Sequence, residues 1–271
     1  KNYQGLTIYH QIAMSDNYHF MGVLFEDLDE DALLKICKVQ NVNGLTLLHM
    51  AAQNIRGFGE ILSQLRVLGS EKLKILLNKQ DKAGWNVYHH LARFSNLRNL
   101  HAAFSGILSS EEETLLLRSV NKSNQTCLHL AAANAVNGAE ILFYLIGEFE
   151  LKAPELLRLT DNNGWTVYHF AVQNWPVRAV EDLFKGLPNE VSHLLLNEKT
   201  LDRRTLISLA YDNQAAEPDI VNFINRKIWL ANVRLIAESL SDEIEEVWSS
   251  TTDELSSDDE DDIKIETLFA P

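Results

Sequence analysis

Five histidines recur at a nearly constant interval, and they are the residues whose type and spacing most suggest chemistry. Imidazole binds transition metals and transfers protons near neutral pH. The separations along the chain are 39, 40, 40 and 40 residues, which places each histidine in a different structural unit, too far from the next to share an ion. We therefore predict no metal site among the five: His10, His49, His89, His129 and His169.

Two cysteines, Cys37 and Cys127, are the other candidates for nucleophilic or metal chemistry. They stand singly, and the sequence contains no zinc-type cysteine pair, no phosphate-binding glycine loop and no His-Glu-x-x-His helix. Two cysteines form no disulfide framework, so we expect a reducing, cytoplasmic setting. No catalytic residue and no cofactor is predicted. An enzyme site assembled from residues that are distant in sequence is kept as an alternative.

The charge of the chain is concentrated near its C-terminus. The chain has 38 acidic and 24 basic residues, and 13 of the acidic residues but only one lysine lie between Glu238 and Pro271. The preceding residues are nearly neutral and lack the basic footprint of a nucleic-acid-binding protein. No apolar run approaches the about 20 residues of a membrane-spanning helix. We expect no nucleic acid as a partner and no membrane span.

The histidines belong to a segment that returns through the chain at the same interval. It reads Asn-Lys-Ser-Asn-Gln-Thr-Cys-Leu-His-Leu-Ala-Ala at 121–132, and copies lie at 41–52, 81–92 and 161–172, with an earlier one at 4–13. A fixed period of this size is typical of stacked supersecondary units. After each copy come an amphipathic segment and a shorter leucine-rich segment, both with apolar residues at helical spacing. Each unit is therefore predicted to contain three helices.

The run Gly-Leu-Thr-Leu-Leu-His-Met-Ala-Ala at 44–52 resembles the ankyrin repeat signature, Gly-x-Thr-Pro-Leu-His-x-Ala-Ala. The proline of the family is absent from every copy, and the period of about 40 residues exceeds the about 33 residues of an ankyrin unit. We attribute the additional residues to the short third helix. In ankyrin-type units the histidine is a structural hydrogen-bonding residue, so the resemblance implies a structural role for all five.

The resemblance implies an all-α, ankyrin-like repeat solenoid with an extra short helix in each unit. We expect units at about 4–40, 41–80, 81–120, 121–160, 161–199 and, degraded and with serine in place of histidine, 200–216. Apolar residues at helical spacing then predict a C-terminal capping helix at 217–248. Ser, Thr, Asp and Glu dominate 249–271, which predicts an acidic, flexible tail.

The resemblance also implies a binding groove. In ankyrin-like stacks the residue after the glycine and the residues after the paired alanines face the concave surface that binds partners. Trp, Phe and Arg are favoured anchors of protein interfaces, although Trp85 and Trp165 could instead be core residues beneath a third helix. Carried over by position, the predicted partner-binding residues are Leu45, Gln53, Asn54, Trp85, Arg93, Phe94, Gln125, Asn134, Trp165, Gln173, Asn174 and Trp175.

These features predict a non-enzymatic scaffold that binds a protein partner through the concave face of the repeat stack. Long, proline-poor units of this kind also resemble the ankyrin modules of effectors that intracellular bacteria deliver into host cells. The alternative is therefore the targeting module of such an effector, located in the host cytoplasm, with a catalytic domain outside this chain. The acidic tail, in which Ser256 and Ser257 precede a run of acids, could contact a basic protein surface.

Overall fold

The computed structural model of the chain describes residues 1–148, 153–185, 189–213 and 219–255. Within these ranges the regular structure is entirely helical, with 17 α-helices, a 3₁₀ turn at Arg66–Leu68 and no β-strand. The predicted all-α class is therefore confirmed. The chain divides into an N-terminal body, Lys1–Asn225, and a C-terminal body, Arg226–Pro271, which are described separately.

Three kinds of helix alternate through the N-terminal body, and we number the repeats from 1 to 6. The first helices, which follow the recurrent turn, are α1 (Ile8–Met14), α4 (Leu47–Ala52), α7 (Val87–Phe94), α10 (Cys127–Ala133), α13 (Val167–Asn174) and α16 (Leu206–Asn213). The second helices are α2 (Phe20–Phe25), α5 (Phe58–Leu65), α8 (Leu97–Phe104), α11 (Gly138–Glu148) and α14 (Val177–Phe184). The third helices are α3 (Glu30–Lys38), α6 (Ser70–Leu77), α9 (Ser110–Arg118), α12 (Ala153–Leu157) and α15 (Asn189–Asn197).

Helices of the same kind contact one another in successive repeats. Each first helix contacts the first helix of the next repeat, from α1 with α4 through to α13 with α16. Among the second helices, α2 contacts α5, α5 contacts α8, and α8 contacts α11. The paired alanines of the first helices, such as Ala51 and Ala52, are completely buried. Small side chains allow neighbouring helices to approach closely, so one apolar core continues from repeat to repeat.

The turn before each first helix is hydrogen-bonded to the turn of the preceding repeat. Backbone N–H groups donate to backbone carbonyls from Lys82 to Asn43, from Lys122 to Ala83 and from Asn162 to Ser123, with N···O distances of 2.9, 3.0 and 2.9 Å. Gly44 shows how closely these turns approach, since its φ is +80° and an added Cβ would lie 2.8 Å from the backbone nitrogen of Lys82. A larger residue there would displace the next turn.

Asparagine side chains join the repeats in pairs. Asn54 and Asn134 follow the first helices of repeats 2 and 4, and Asn213 is the last residue of the first helix of repeat 6. Each side-chain amide donates to two backbone carbonyls at the end of the preceding repeat's first helix, with N···O distances between 2.8 and 3.2 Å. The equivalent Asn174 of repeat 5 instead donates to the carbonyl of Phe170 in its own helix. Odd and even repeats therefore differ, and the structure has a second period of two repeats.

Repeat 6 keeps the helix cap without a histidine. The backbone N–H of Thr205 donates to Oγ of Ser208 at 3.0 Å, and the N–H of Ser208 donates back to Oγ1 of Thr205 at 3.4 Å. Arg203 stands at the glycine position of the turn with a φ of 64°. The serine hydroxyl thus substitutes for an imidazole nitrogen at the start of α16.

The last helix, α17, spans Asp219–Leu255 and extends beyond the capping helix predicted at 217–248. Its sequence contains neither glycine nor proline between these residues, so no residue breaks the helical backbone at 249. The predicted start of the flexible tail is therefore wrong by at least seven residues. The remainder of that predicted tail, including Ser256 and Ser257, lies outside the described residues. In the described ranges, no helix combines the length and apolar character needed to span a membrane.

Candidate functional site

In repeats 1 and 2 the recurrent histidine joins a helix cap to the neighbouring repeat. In α4, Nδ1 of His49 lies 2.7 Å from Oγ1 of Thr46 and 3.1 Å from its backbone nitrogen. Because Nδ1 accepts the Thr46 N–H, Nε2 carries the proton and donates to the carbonyl of Trp85, 3.1 Å away in the next repeat. His10 bonds in the same way to Thr7 and to the carbonyl of Leu45. Nε2 of His89 and Nε2 of His169, by contrast, have no hydrogen-bond partner in the described part of the chain.

Burial keeps the imidazoles neutral and the thiols protonated. All five recurrent histidines are buried, and burial lowers the pKa of His49, His89 and His169 to about 4. Burial also raises the pKa of Cys37 and Cys127 to about 12. A protonated, buried thiol is a poor nucleophile. In the described part of the chain, no group of three or more His, Cys, Asp or Glu side chains could hold a metal ion.

The turn before α7 and the turn before α13 each present a tryptophan. Oδ1 of Asp81 accepts the N–H groups of Ala83 and Trp85 at 2.8 and 2.9 Å. Oδ1 of Asp161 accepts two N–H groups in the equivalent turn, again at 2.8 and 2.9 Å, one of them from Trp165. The carboxylate thus fixes the backbone from which each indole projects. Both tryptophans are half-buried, so each has a packed side and an accessible side.

Around the first tryptophan lies the Trp85 cluster, which consists of Trp85, His90, Arg93 and Phe94. The Trp85 and Phe94 rings stack with their centroids 6.1 Å apart and an interplanar angle of 23°. His90 meets Trp85 edge to face at 5.2 Å, and the Arg93 guanidinium carbon lies 5.3 Å from the Phe94 centroid. Phe94 is exposed, so the cluster offers an aromatic surface with a cation beside it.

A buried hydrogen bond between His90 and Asp81 supports the aromatic rings of this cluster. Nε2 of His90 lies 3.1 Å from Oδ2 of Asp81, and both side chains are almost fully buried. The amide nitrogen of Gln53 lies 3.3 Å from Nδ1 of His90 and donates to it, so Nε2 carries the proton that bonds Asp81. Burial alone would raise the pKa of Asp81, but hydrogen bonds from His90, Trp85 and Ala83 outweigh it and lower that pKa.

Around the second tryptophan lies a cavity of about 590 Å³, here called the Trp165 cavity. The Trp165 and Phe170 rings meet with centroids 4.9 Å apart, and the Arg204 guanidinium carbon lies 5.7 Å from the Trp165 centroid. The volume of the Trp165 cavity is in the range of sites that hold a small ligand or a large side chain. The lining residues are Gln125, Asp161, Asn163, Trp165, Phe170, Gln173, Leu201 and Asp202.

The structure gathers seven of the predicted partner-binding residues at these two places. The Trp85 cluster contains Trp85, Arg93 and Phe94, with Gln53 bonded to its histidine, and the Trp165 cavity is lined by Gln125, Trp165 and Gln173. Leu45 is half-buried, and its carbonyl accepts the bond from His10. The side-chain amides of Asn54 and Asn174 are half-buried and bonded to backbone carbonyls.

Two predicted partner-binding residues are buried, and the prediction is wrong for them. The indole N–H of Trp175 donates to the backbone carbonyl of Asn134 at 3.2 Å, and both residues lie in the core. The amide of Asn134 is committed to carbonyls of repeat 3. The prediction carried the binding positions of ankyrin-like units over to every repeat, which assumes that all first helices end in the same way. The first helices of odd- and even-numbered repeats end differently.

Several lining residues of the Trp165 cavity escaped the sequence analysis. Phe170 occupies the same position in repeat 5 as His90 does in repeat 3, and Leu201 and Asp202 belong to the turn of repeat 6. A second missed feature is a groove of about 660 Å³ at the second helices, lined by Tyr18, Ile55, Arg56, Gly59, Glu60, Ser63, Asn96, Arg98 and Asn99. Alignment of the sequence with itself at an offset of two repeats pairs His90 with Phe170.

No protein-family model matches the chain, and no curated protein is similar to it. Solved structures do resemble it. One is a chain from a complex of a predatory endopeptidase of Bdellovibrio bacteriovorus with an immunity protein. The match has a TM-score of 0.51 and 15% sequence identity, and it covers 82% of the present chain and 99% of that chain. At this level of identity the similarity concerns the fold alone.

Proposed function

We propose that this chain is a non-enzymatic protein-binding module, an ankyrin-like solenoid of six repeats that contacts its partner at the Trp85 cluster and the Trp165 cavity. The observation that carries the proposal is the recurrence of a half-buried tryptophan two repeats apart, each on a turn fixed by an aspartate. The order of helix contacts and the bonded turns support the solenoid.

The residue types at these places favour a protein as the partner. Aromatic and arginine side chains dominate the energetic centres of protein interfaces because they bury much area with few rotatable bonds. The Trp165 cavity adds the acidic side chains of Asp161 and Asp202 to the apolar faces of Trp165 and Phe170. A lysine or arginine of the partner suits this lining, because its aliphatic stem would contact the rings and its head would reach a carboxylate.

An enzymatic role has less support from the described residues. The recurrent histidines and both cysteines are buried, and the side chains of His90 and Asp81 are almost fully buried. The similar solved chain comes from a complex of two proteins, which is compatible with a binding role for this fold. The alternative of an effector targeting module would use the same surface and differs only in what accompanies the chain.

A random-peptide phage library selected against the full chain tests the proposed surface. Leu201→Asp changes a rim residue of the Trp165 cavity that is 77% exposed, so the variant should fold normally. We expect selected peptides to bind Leu201→Asp and Gln173→Ala at least about tenfold more weakly than the unchanged chain. Phe20→Ala, which removes an exposed aromatic ring from α2, is the matched control and should bind normally.

The distribution of the selected peptides over the variants decides the result. Peptides enriched in lysine or arginine that lose affinity for both cavity variants would support the proposal. Peptides that bind all three variants as tightly as the unchanged chain would contradict it. Circular dichroism of each variant, compared with that of the unchanged chain, excludes loss of structure as the cause of weaker binding.

A further inference from the structure

The C-terminal body exposes an apolar stripe along helix α17. Trp229, Val233, Ile236 and Leu240 are 62, 41, 61 and 52% exposed. They are separated by four, three and four residues, and at 3.6 residues per turn they fall within an arc of about 60° on the helix. Their Cα atoms extend over about 17 Å of the helix axis. These four residues are called the α17 stripe.

The spacing of the α17 stripe is typical of a helix that packs along another helix. Exposed apolar residues are common singly, but an alternation of four and three residues produces the seam of paired helices. Ile244 and Val247 continue the alternation in the sequence. The stripe would therefore reach two further turns if a second helix packed along it.

The charges of α17 are divided between its two halves. Residues 226–237 contain Arg226, Lys227 and Arg234 and no acidic residue, so their formal charge is +3. Residues 238–255 contain seven acidic residues and no basic residue, so their formal charge is −7. This order opposes the helix dipole, which favours cations at the C-terminal end. The last turn of α17 contains no basic residue.

We propose that two copies of this chain dimerise by packing their α17 stripes together in antiparallel orientation. In that arrangement each basic half lies beside the acidic half of the other copy, twice by symmetry. A parallel pair would instead place the two acidic halves side by side, which electrostatic repulsion disfavours. A second copy is the occupant because, when the helix is reversed, its residues 238–255 with a charge of −7 lie beside residues 226–237 with a charge of +3. The register places Ile236 of one copy opposite Leu240 of the other.

Analytical ultracentrifugation of the full chain tests dimerisation. We expect the dimer fraction to rise with protein concentration up to about 100 µM at low salt, and to fall as salt screens the opposed charges. Ile236→Asp should raise the dissociation constant at least tenfold, because it places a carboxylate in the seam. Ile75→Asp is the matched control, since Ile75 is 59% exposed on α6 in the N-terminal body, and it should dimerise normally.

Cysteine cross-linking tests the orientation. The native Cys37 and Cys127 are buried, so an introduced surface cysteine can be labelled selectively. A mixture of the Trp229→Cys and Val247→Cys variants should form the mixed disulfide, whereas Trp229→Cys alone should not cross-link to itself. Self-linkage of Trp229→Cys would overturn the antiparallel arrangement. A chain that stays monomeric at all concentrations would overturn the proposal as a whole. This holds equally if another segment of the chain or another protein covers the stripe.

Discussion

Trp85 and Trp165 occupy equivalent positions two repeats apart, yet their surroundings differ. Beside Trp85 stands His90, which is paired with a buried aspartate. At the equivalent position beside Trp165 stands Phe170, and Oδ2 of Asp161 accepts a hydrogen bond from the amide of Gln125 at 3.1 Å. The backbone frame is shared, while the chemistry next to each indole is different.

This difference shows how one repeat geometry produces two kinds of surface. Phe94 stacks on Trp85 and occupies the space beside it. The residue at the equivalent position of repeat 5, Asn174, is bonded back to the carbonyl of Phe170, and the space beside Trp165 is a cavity of about 590 Å³. Repeat 3 therefore presents a filled aromatic cluster, and repeat 5 presents a site that a partner side chain can enter.

The largest expected effect falls on a feature that both regions share, the buried recurrent histidine. Burial lowers the pKa of His49, His89 and His169 from 6.5 to about 4. Between these pH values the three histidines are protonated in the unfolded chain but stay neutral in the folded chain. The free energy of unfolding therefore decreases as the pH falls from about 6.5 to about 4. We expect a loss on the order of 2 kcal/mol for each histidine by pH 4.5.

Urea denaturation at pH 7 and pH 4.5 measures this loss, and NMR titration assigns it. The imidazole protons of the three histidines should titrate near pH 4 in the folded chain. Equal denaturation midpoints at the two pH values would contradict the prediction. A loss of stability without low imidazole pKa values would shift the explanation to the carboxylates.

An intermediate effect is expected from changing the histidine that distinguishes repeat 3. His90→Phe copies the residue of repeat 5, but it leaves a buried carboxylate of Asp81 and the amide of Gln53 without their present partner. We expect a loss of about 2 kcal/mol in the free energy of unfolding, because buried polar groups that lack a partner are costly. Thermal or urea unfolding at pH 7 measures it.

A double-mutant cycle separates the hydrogen bond between His90 and Asp81 from the shape of the side chain. Asp81→Asn keeps the oxygen that accepts the two turn N–H groups, as Asn41 and Asn121 do in their repeats. If His90→Phe acts through the pair, the combined variant should lose less stability than the two single changes added together. Additive losses would show that packing against Trp85, and not the charge, decides the cost.

The smallest effect is expected from the cation beside each cluster. Arg93 lies over Phe94, whereas Arg204 lies over Trp165 and is also paired with Asp212. We expect Arg93→Ala to cost about 0.5 kcal/mol and Arg204→Ala somewhat more, because the latter loses a cation–π contact and an ion pair. Equal losses measured by urea unfolding would show that the ion pair between Arg204 and Asp212 contributes nothing.

Much of the helical framework could be predicted from local sequence signals, because each first helix follows a turn and a capping residue within a few positions. The third helix of repeats 1 to 5 was likewise visible in its leucine spacing. The burial of Trp175 and Asn134 was not predictable in this way. It depends on a bond between residues 41 positions apart. The end of α17 does not follow from polar composition, because residues 249–255 are polar but include neither glycine nor proline and continue the helix.

The asparagine bridges bear on how such a chain can lengthen or shorten during evolution. Asn54, Asn134 and Asn213 each require the carbonyls of an odd-numbered repeat. Excision of repeat 3 alone would place Asn134 next to repeat 2. The first helix of an even-numbered repeat ends differently from that of an odd-numbered repeat. Excision of repeats 3 and 4 together would leave every remaining asparagine with its own partner. Gain or loss of genetic material in blocks of two repeats is therefore the path that preserves the fold.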